Sequence, residues 1–318
     1  MARLLENVIP LLLLIAFGYF LRRKNYFEET AIKGLTGFVA NLLIPCVLFN
    51  TFMNLDFRTE HLWIAVSFFI LMLILMGCGF ALYRILPGQR RFFPFFHCAF
   101  AFGFMGIPLF STVFGEDKME YLVAMGVGHE LFIGLIFMTA SQLYLKNKKV
   151  EKKALGKSLL SPLFIMITLA LLIRALGLKE IIEANFLGKG ILDAISRLGG
   201  VTTVLIMIIV GYRIRFDNRT RLMESIRLVG IRYLLTFSVG YLYKFLVMDR
   251  LSGGSIYFDY AFFTLLSQHG SVVLTAYIGE YGSTEDLEVA SNALVINELA
   301  GIALYLIFVF MISKGGAV

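Results

Sequence analysis

Ten stretches of this chain are each apolar over about the twenty residues that a helix needs to cross ~30 Å of hydrocarbon. They run roughly over residues 5–22, 32–53, 62–86, 92–114, 120–145, 158–176, 190–212, 226–248, 257–279 and 287–313. No other feature narrows the fold as far, because lipid offers the backbone no partners and the spanning segments must satisfy their own N–H and C=O groups. The fold class expected is therefore an all-α polytopic membrane protein of ten transmembrane helices. Composition agrees: over 318 residues, 58% are hydrophobic and only 16% charged, with a mean hydropathy of +0.80, far above an ordinary soluble domain.

The net charge of +7 would suit nucleic acid, but the basic residues cluster at the ends of apolar runs rather than along one polar face. Membrane lipid is the partner this implies, and nucleic acid is not. Cys46, Cys78 and Cys98 all lie inside apolar segments, at spacings that suit neither a disulfide framework nor a zinc site, and read as buried thiols. The run from Val8 to Leu21 is followed by Arg22-Arg23-Lys24 rather than a small-residue cleavage site, and Glu6 interrupts a basic leader. It reads as the first transmembrane helix, not as a signal peptide.

Basic residues orient the segments. The connections after segments one, three, five and seven carry Arg22, Arg23 and Lys24; Arg84, Arg90 and Arg91; Lys146, Lys148, Lys149, Lys152, Lys153 and Lys157; and Arg213, Arg215, Arg219 and Arg221. Other connections are mixed or acidic, such as Asp56, Arg58 and Glu60, or Glu116, Asp117, Lys118 and Glu120. The positive-inside rule makes the first set cytoplasmic and turns both termini outward, as expected of a protein in the cell membrane. The ninth-to-tenth connection, Glu280 to Glu288, is inside by the same count yet acidic, against the rule.

The basic stretch 147–157 divides the chain into two sets of five segments, 1–146 and 158–318. Five is odd, so the second set enters the membrane in the opposite sense, and the halves are expected to form a 5+5 inverted repeat. The fourth segment contains Gly103, Gly106 and Pro108 at its middle. A proline inside a helix costs about 3 kcal/mol and glycine roughly 1 more, so a break is expected at Gly106-Ile107-Pro108. Non-helical backbone at that depth is tolerated only inside protein or against a wet cavity, and in transporters it marks the binding site. The ninth segment offers Gln268-His269-Gly270-Ser271 as the matching break. Phe114-Gly115-Glu116 then leads to Gly128-His129-Glu130-Leu131, as Ile278-Gly279-Glu280 leads to Ile296-Asn297-Glu298-Leu299.

Glu130 and Glu298 are the sharpest chemical signal. At 1.5 Å per residue each lies about 15 Å into its segment, near the bilayer midplane. A carboxylate there costs on the order of 3 kcal/mol unless it is protonated, hydrated or paired. Lys244 and Arg174 lie close enough to segment ends to snorkel to the interface, so no arginine or lysine is expected at that depth. Protonation or a bound cation is the compensation this leaves, and the pair with its polar neighbours His129 and Asn297 reads as ion-coupling. The competing reading is a protonated glutamate acting as glue between helices. His269 can titrate near neutral pH or contact substrate. Asn41 lies four residues ahead of Pro45, whose missing donor frees a carbonyl. His97 and Cys98 with His129 and Glu130 follow no recognised metal-ligand spacing, so no metal or other cofactor is expected beyond Na+ or H+ as coupling ion.

Two stretches resemble the auxin efflux carrier family of bacterial and plant transporters: Asn41-Leu42-Leu43-Ile44-Pro45-Cys46-Val47-Leu48-Phe49, and Gly103-Phe104-Met105-Gly106-Ile107-Pro108-Leu109 with Phe114-Gly115. Gly199-Gly200-Val201-Thr202-Thr203 is a fainter likeness. The resemblance implies the inverted-repeat fold of bile-acid and sodium/proton carriers, with segments four and nine broken and crossing at the centre. It implies organic anions such as auxin, malate or malonate as substrates, and Pro45, Gly106 and Pro108 match its pattern. Segment nine lacks the family's proline near the second crossover, and segment seven lacks the one that pairs with Pro45.

Together these readings point to a secondary-active transporter of a small organic anion, coupled to proton or sodium, with alternating access around the crossover. Gly106, Ile107, Pro108, Gln268, His269, Gly270, Ser271, Asn41, Pro45, Thr202 and Thr203 are the candidate substrate-binding residues. A cation/proton antiporter of the same fold and a ligand-binding membrane sensor are the alternatives, and assembly as a homodimer stays open. Paired aspartates at motif spacing, a nucleophile elbow and a zinc motif are all missing, so an enzyme is not expected.

Overall fold

A computed structural model describes residues 2–54, 58–146, 162–213 and 221–314. The expected linker 147–157, together with Asp56, Arg215 and Arg219, lies outside the described residues. All regular structure among the described residues is helical. The first half runs α1 (Ala2–Arg23), α2 (Glu29–Phe38), α3 (Ile44–Asn54), α4 (Thr59–Ile85), the short α5 (Phe93–Phe96), α6 (Ile107–Phe114), α7 (Glu120–Phe132) and α8 (Met138–Lys146). The second runs α9 (Pro162–Ala175), α10 (Lys179–Ala184), α11 (Phe186–Gly200), α12 (Thr202–Arg213), α13 (Leu222–Leu246), α14 (Ile256–Ser267), α15 (Val272–Tyr281) and α16 (Thr284–Lys314). Among the described residues five helical stretches are long and apolar enough to cross a membrane: Glu29–Asn54, Thr59–Ile85, Glu120–Leu145, Phe186–Arg213 and Thr284–Lys314. Shorter apolar helices cover Phe102–Phe114, Ile165–Ala175 and Ile256–Ser267. The chain is thus a polytopic, all-helical membrane protein.

Two of the prolines stand at the start of α-helices that follow a widened turn. Pro45 and Pro108 are each the second residue of an α-helix, and each helix is entered through a π-turn, Val39–Leu43 and Phe102–Gly106. Proline has no N–H for the carbonyl one turn back and its ring crowds that carbonyl. A widened turn ahead of it accommodates both defects without ending the helix. The expectation of a break at Gly106-Ile107-Pro108 is therefore corrected: the chain is helical from Phe102 to Phe114, and the non-helical residues are His97 to Ala101. Gly103 serves packing, since a Cβ there would meet Ile44 Cγ2 at 2.7 Å.

The described chain packs as two units that interleave along the sequence. The first comprises Met1–Asp56, Gly103–Asp117 and Leu159–Ile214; the second comprises Phe57–Phe102, Lys118–Ser158 and Arg215–Val318. Within the first unit α1 lies against α12, and α3 packs on α9 and α11. In lipid, where apolar surface gains nothing by leaving its surroundings, such contacts depend on small residues that let backbones approach. A Cβ on Gly18 would sit 2.1 Å from the Ile208 carbonyl oxygen, and one on Gly211 would sit 1.9 Å from that of Ile15. Within the second unit α4 packs against α7 and α5, and α13 against α16 and α14. Fully buried rings such as Phe68, Phe95, Phe132 and Phe258 fill its interior.

Ion pairs in the second unit account for the acidic ninth-to-tenth connection. Arg90 Nε bonds Glu224 at 2.6 Å, its Nη1 reaches Glu285 at 3.3 Å and Asp286 at 3.2 Å, and Arg221 pairs with Glu285 at 2.6 Å. The acids are thus neutralised by arginines of the third-to-fourth and seventh-to-eighth connections, and all three connections share one side of this unit. The hydrogen bond from Arg90 holds the Glu224 carboxyl below its ordinary range.

Candidate functional site

Two interruptions meet inside the second unit. One is His97–Ala101, after the single turn of α5; the other is Gln268–Ser271, between α14 and α15. The Ala101 N–H donates to the His269 carbonyl at 3.0 Å, which joins the two stretches backbone to backbone. Each interruption also frees carbonyls that no helix consumes, and at membrane depth these need another donor.

That donor is Arg232, which sequence reasoning passed over. It stands on α13, about 15 Å from the start of that helix at Leu222, and is fully buried. Its Nη1 donates to the Phe96 carbonyl, and its Nη2 donates to the carbonyls of Ala99 at 2.7 Å and Gln268 at 3.2 Å. The guanidinium also lies over the rings of Phe100 and Phe96, at 5.1 and 5.7 Å from their centroids. One side chain thereby holds carbonyls from both interruptions. The expectation that no arginine or lysine lies at the depth of the glutamates is wrong. Depth alone was signal enough, since Arg232 cannot reach either end of its helix as Lys244 does. Lys244 pairs with Asp249 at 2.5 Å and Asp259 at 2.7 Å near the end of α13.

The polar residue before each glutamate takes up an N–H from one interruption. His129 Nε2 accepts the Phe100 N–H at 3.1 Å, and its Nδ1 lies 3.0 Å from Glu130 Oε1. Because Nε2 accepts, Nδ1 is the ring nitrogen placed to donate to the Glu130 carboxyl oxygen. Asn297 Oδ1 accepts the Gly270 N–H at 3.3 Å. The Tyr233 hydroxyl, on α13, lies 3.1 Å from the Ser267 carbonyl and 3.0 Å from that of Asn297, placed to donate to either. Glu130 is 14% exposed and Glu298 is buried.

The remaining expected residues divide between the units. In the second, Gln268 donates to the Thr264 carbonyl at 2.7 Å, His269 Nδ1 lies 2.6 Å from the Gly270 carbonyl, and Ser271 precedes α15 without capping it through its side chain. In the first, Gly106, Ile107 and Pro108 are buried within the helical run and Pro45 is buried in α3, while Asn41 is exposed on the π-turn ahead of it. Thr202 is buried and donates to the Leu198 carbonyl at 3.4 Å, and Thr203 is half-buried beside it. Gly103 against Ile44 brings the fourth segment beside the Asn41–Pro45 stretch. Among the described residues no three His, Cys, Asp or Glu side chains gather as a metal site; the Cys98 thiol instead lies 3.6 Å from the Phe95 carbonyl.

A family profile described as membrane transport protein matches residues 3–249. The chain belongs to this family. It is the auxin efflux carrier-like family that the Asn41–Phe49 and Gly103–Leu109 stretches resemble. None of the curated proteins compared with the chain matches it. This membrane transport protein carries its interruptions, Arg232 and both glutamates on one packed unit, while Pro45 and Pro108 with their helices α3 and α6 belong to the other.

Proposed function

We propose that this transporter is a secondary-active carrier of a small organic anion, a carboxylate, coupled to a proton or to sodium. The observation that carries the reading is the charge balance at the two interruptions. Arg232 compensates the carbonyl side of both, while α15 starts at the second with no side-chain cap. A helix amino terminus presents unpaired N–H groups and the positive end of the dipole. A site whose negative ends are neutralised and whose positive end is open favours an anion.

We read the fold around it as a ten-helix 5+5 inverted repeat with segments four and nine crossing. The packing pairs support this: α1 on α12 answers α9 on α3, and α4 with α7 answers α13 with α16. His129 on the Phe100 N–H likewise answers Asn297 on that of Gly270. The basic connections are cytoplasmic in this reading and the termini outward. The division of the chain into two packed units supplies the two bodies that alternating access, by rocking or as an elevator, requires. Glu130 and Glu298 carry the coupling ion.

Flux of radiolabelled malonate and malate into proteoliposomes, under imposed pH and sodium gradients, tests the reading. Wild-type protein should accumulate at least one of them, and Glu130→Gln and Glu298→Gln should each lose most of the gradient-driven flux. Unchanged flux and pH dependence in both variants refute the coupling role. Saturable binding without flux favours a sensor, and cation flux without any carboxylate favours the antiporter.

A further inference from the structure

We propose that Arg232 is the resident cation of this site: its guanidinium fills the place that a dissociable sodium ion would take among the carbonyls of Phe96, Ala99 and Gln268. The inference rests on the proposed carrier function and chooses between its two coupling ions, leaving the proton. Sodium sites at broken transmembrane helices are made from unwound carbonyls and the carboxyl-terminal ends of half-helices. Here carbonyls of that kind, from both interruptions, already accept hydrogen bonds from one fully buried side chain. A sodium ion bound to the same oxygens would stand within a few ångströms of the guanidinium, where the repulsion between two unit charges is strong at interior dielectric.

Three features fit the side chain to this task. Among the described residues Arg232 makes no ion pair with a carboxylate, so its charge is directed at the carbonyls alone. Its planar fork reaches several acceptors that diverge from one another, which a lysine ammonium cannot match, and the Phe96 and Phe100 rings lie against its charge. Gly270 keeps the space: a Cβ there would lie 3.3 Å from the Phe96 oxygen and 3.5 Å from Arg232 Nη1. Guanidinium does not give up its proton in proteins, so Arg232 is a permanent charge and the mobile one resides elsewhere.

The test is thermal unfolding of the full-length, detergent-purified protein in sodium chloride against choline chloride at equal ionic strength, with Arg232→Lys and Arg232→Met beside the wild type. A ion that binds only the folded state raises the melting temperature, so the wild type should shift by less than about 1 °C across roughly 0–300 mM sodium. Arg232→Met should melt well below wild type, with Arg232→Lys between them. A saturable sodium-dependent rise in the wild-type melting temperature overturns the proposal, as does an Arg232→Met protein as stable as wild type. Should Arg232→Met not fold, the wild-type titration decides. Malonate and malate flux in proteoliposomes separates this inference from the carrier reading. Carboxylate flux that requires sodium removes the resident cation and leaves the carrier; sodium-indifferent stability with no carboxylate flux does the reverse.

Discussion

Replacing His129 separates the two bonds that hold the first interruption against α7. Its Nε2 accepts the Phe100 N–H at 3.1 Å and its Nδ1 faces Glu130 at 3.0 Å. Leucine removes both. The Phe100 N–H is then buried without an acceptor, which costs about 1–3 kcal/mol, and the lost hydrogen bond to Glu130 is worth about 0.5–1.5 more. Because Glu130 keeps 14% of its surface exposed, the lower part of the second range applies. The sum is about 2–4 kcal/mol, on the order of 10 °C in melting temperature at ~2–4 °C per kcal/mol. Glutamine sets an amide oxygen near the reach of Nε2 and keeps the bond to Phe100; asparagine sets an amide nitrogen near Nδ1 and keeps the one to Glu130. Each should lose about half as much as leucine. Thermal unfolding of the purified variants, followed by intrinsic fluorescence, reads the series. If leucine proves no worse than glutamine or asparagine, the ring does not hold the interruption and the reasoning fails.

Other positions give independent tests. Gly211→Ala would bring a methyl group to 1.9 Å from the Ile15 carbonyl oxygen, backbone against side chain with nothing flexible to yield, whereas an alanine at Gly230 meets nothing within 4 Å. The first should destabilise by about 1–3 kcal/mol or more and the second should be neutral or gain up to about 1 kcal/mol, as measured by melting temperature and by yield of monodisperse protein. For Arg90 and Glu224 the sign follows from a depressed carboxyl pKa. The pair stabilises above the unfolded value of about 4.3 and loses that contribution as pH falls through the folded value. With side chains 21% and 35% exposed, it is worth about 1 kcal/mol or less. Arg90→Gln should therefore melt a few degrees below wild type at neutral pH, the gap closing as pH falls below the ordinary carboxylate range and narrowing at ~1 M salt.

Much of this architecture was legible from apolar run lengths alone. The five long apolar helical stretches, and the shorter ones beside them, fall within runs that the sequence marks, because length and hydropathy decide whether a segment is stable in lipid regardless of its neighbours. The ninth-segment interruption at Gln268–Ser271 was readable for the same local reason: polar residues and a glycine in an apolar run. The fourth-segment interruption was not. Proline and glycine at 103–108 gave the stronger local signal, yet the π-turn absorbed the proline and Gly103 made room for Ile44. The unwinding fell instead on His97–Ala101, where the N–H groups of Ala101 and Phe100 found His269 and His129, and where the Ala99 carbonyl, with that of Phe96 just before, found Arg232.

Sequence alone was enough to establish a many-helix membrane protein with two glutamates set inside apolar segments, a proline disturbance at Pro45 and Pro108, and an interruption at Gln268–Ser271. These follow from terms each residue carries alone: transfer to lipid, the missing proline donor, and the depth of a charge. Tertiary structure decided which groups compensate one another. A buried arginine joins two interruptions more than a hundred residues apart in the chain, and an acidic hairpin finds its arginines on two other connections. Hydrogen bonds and ion pairs act over about 3 Å, and only folding brings residues so far apart in sequence to that distance.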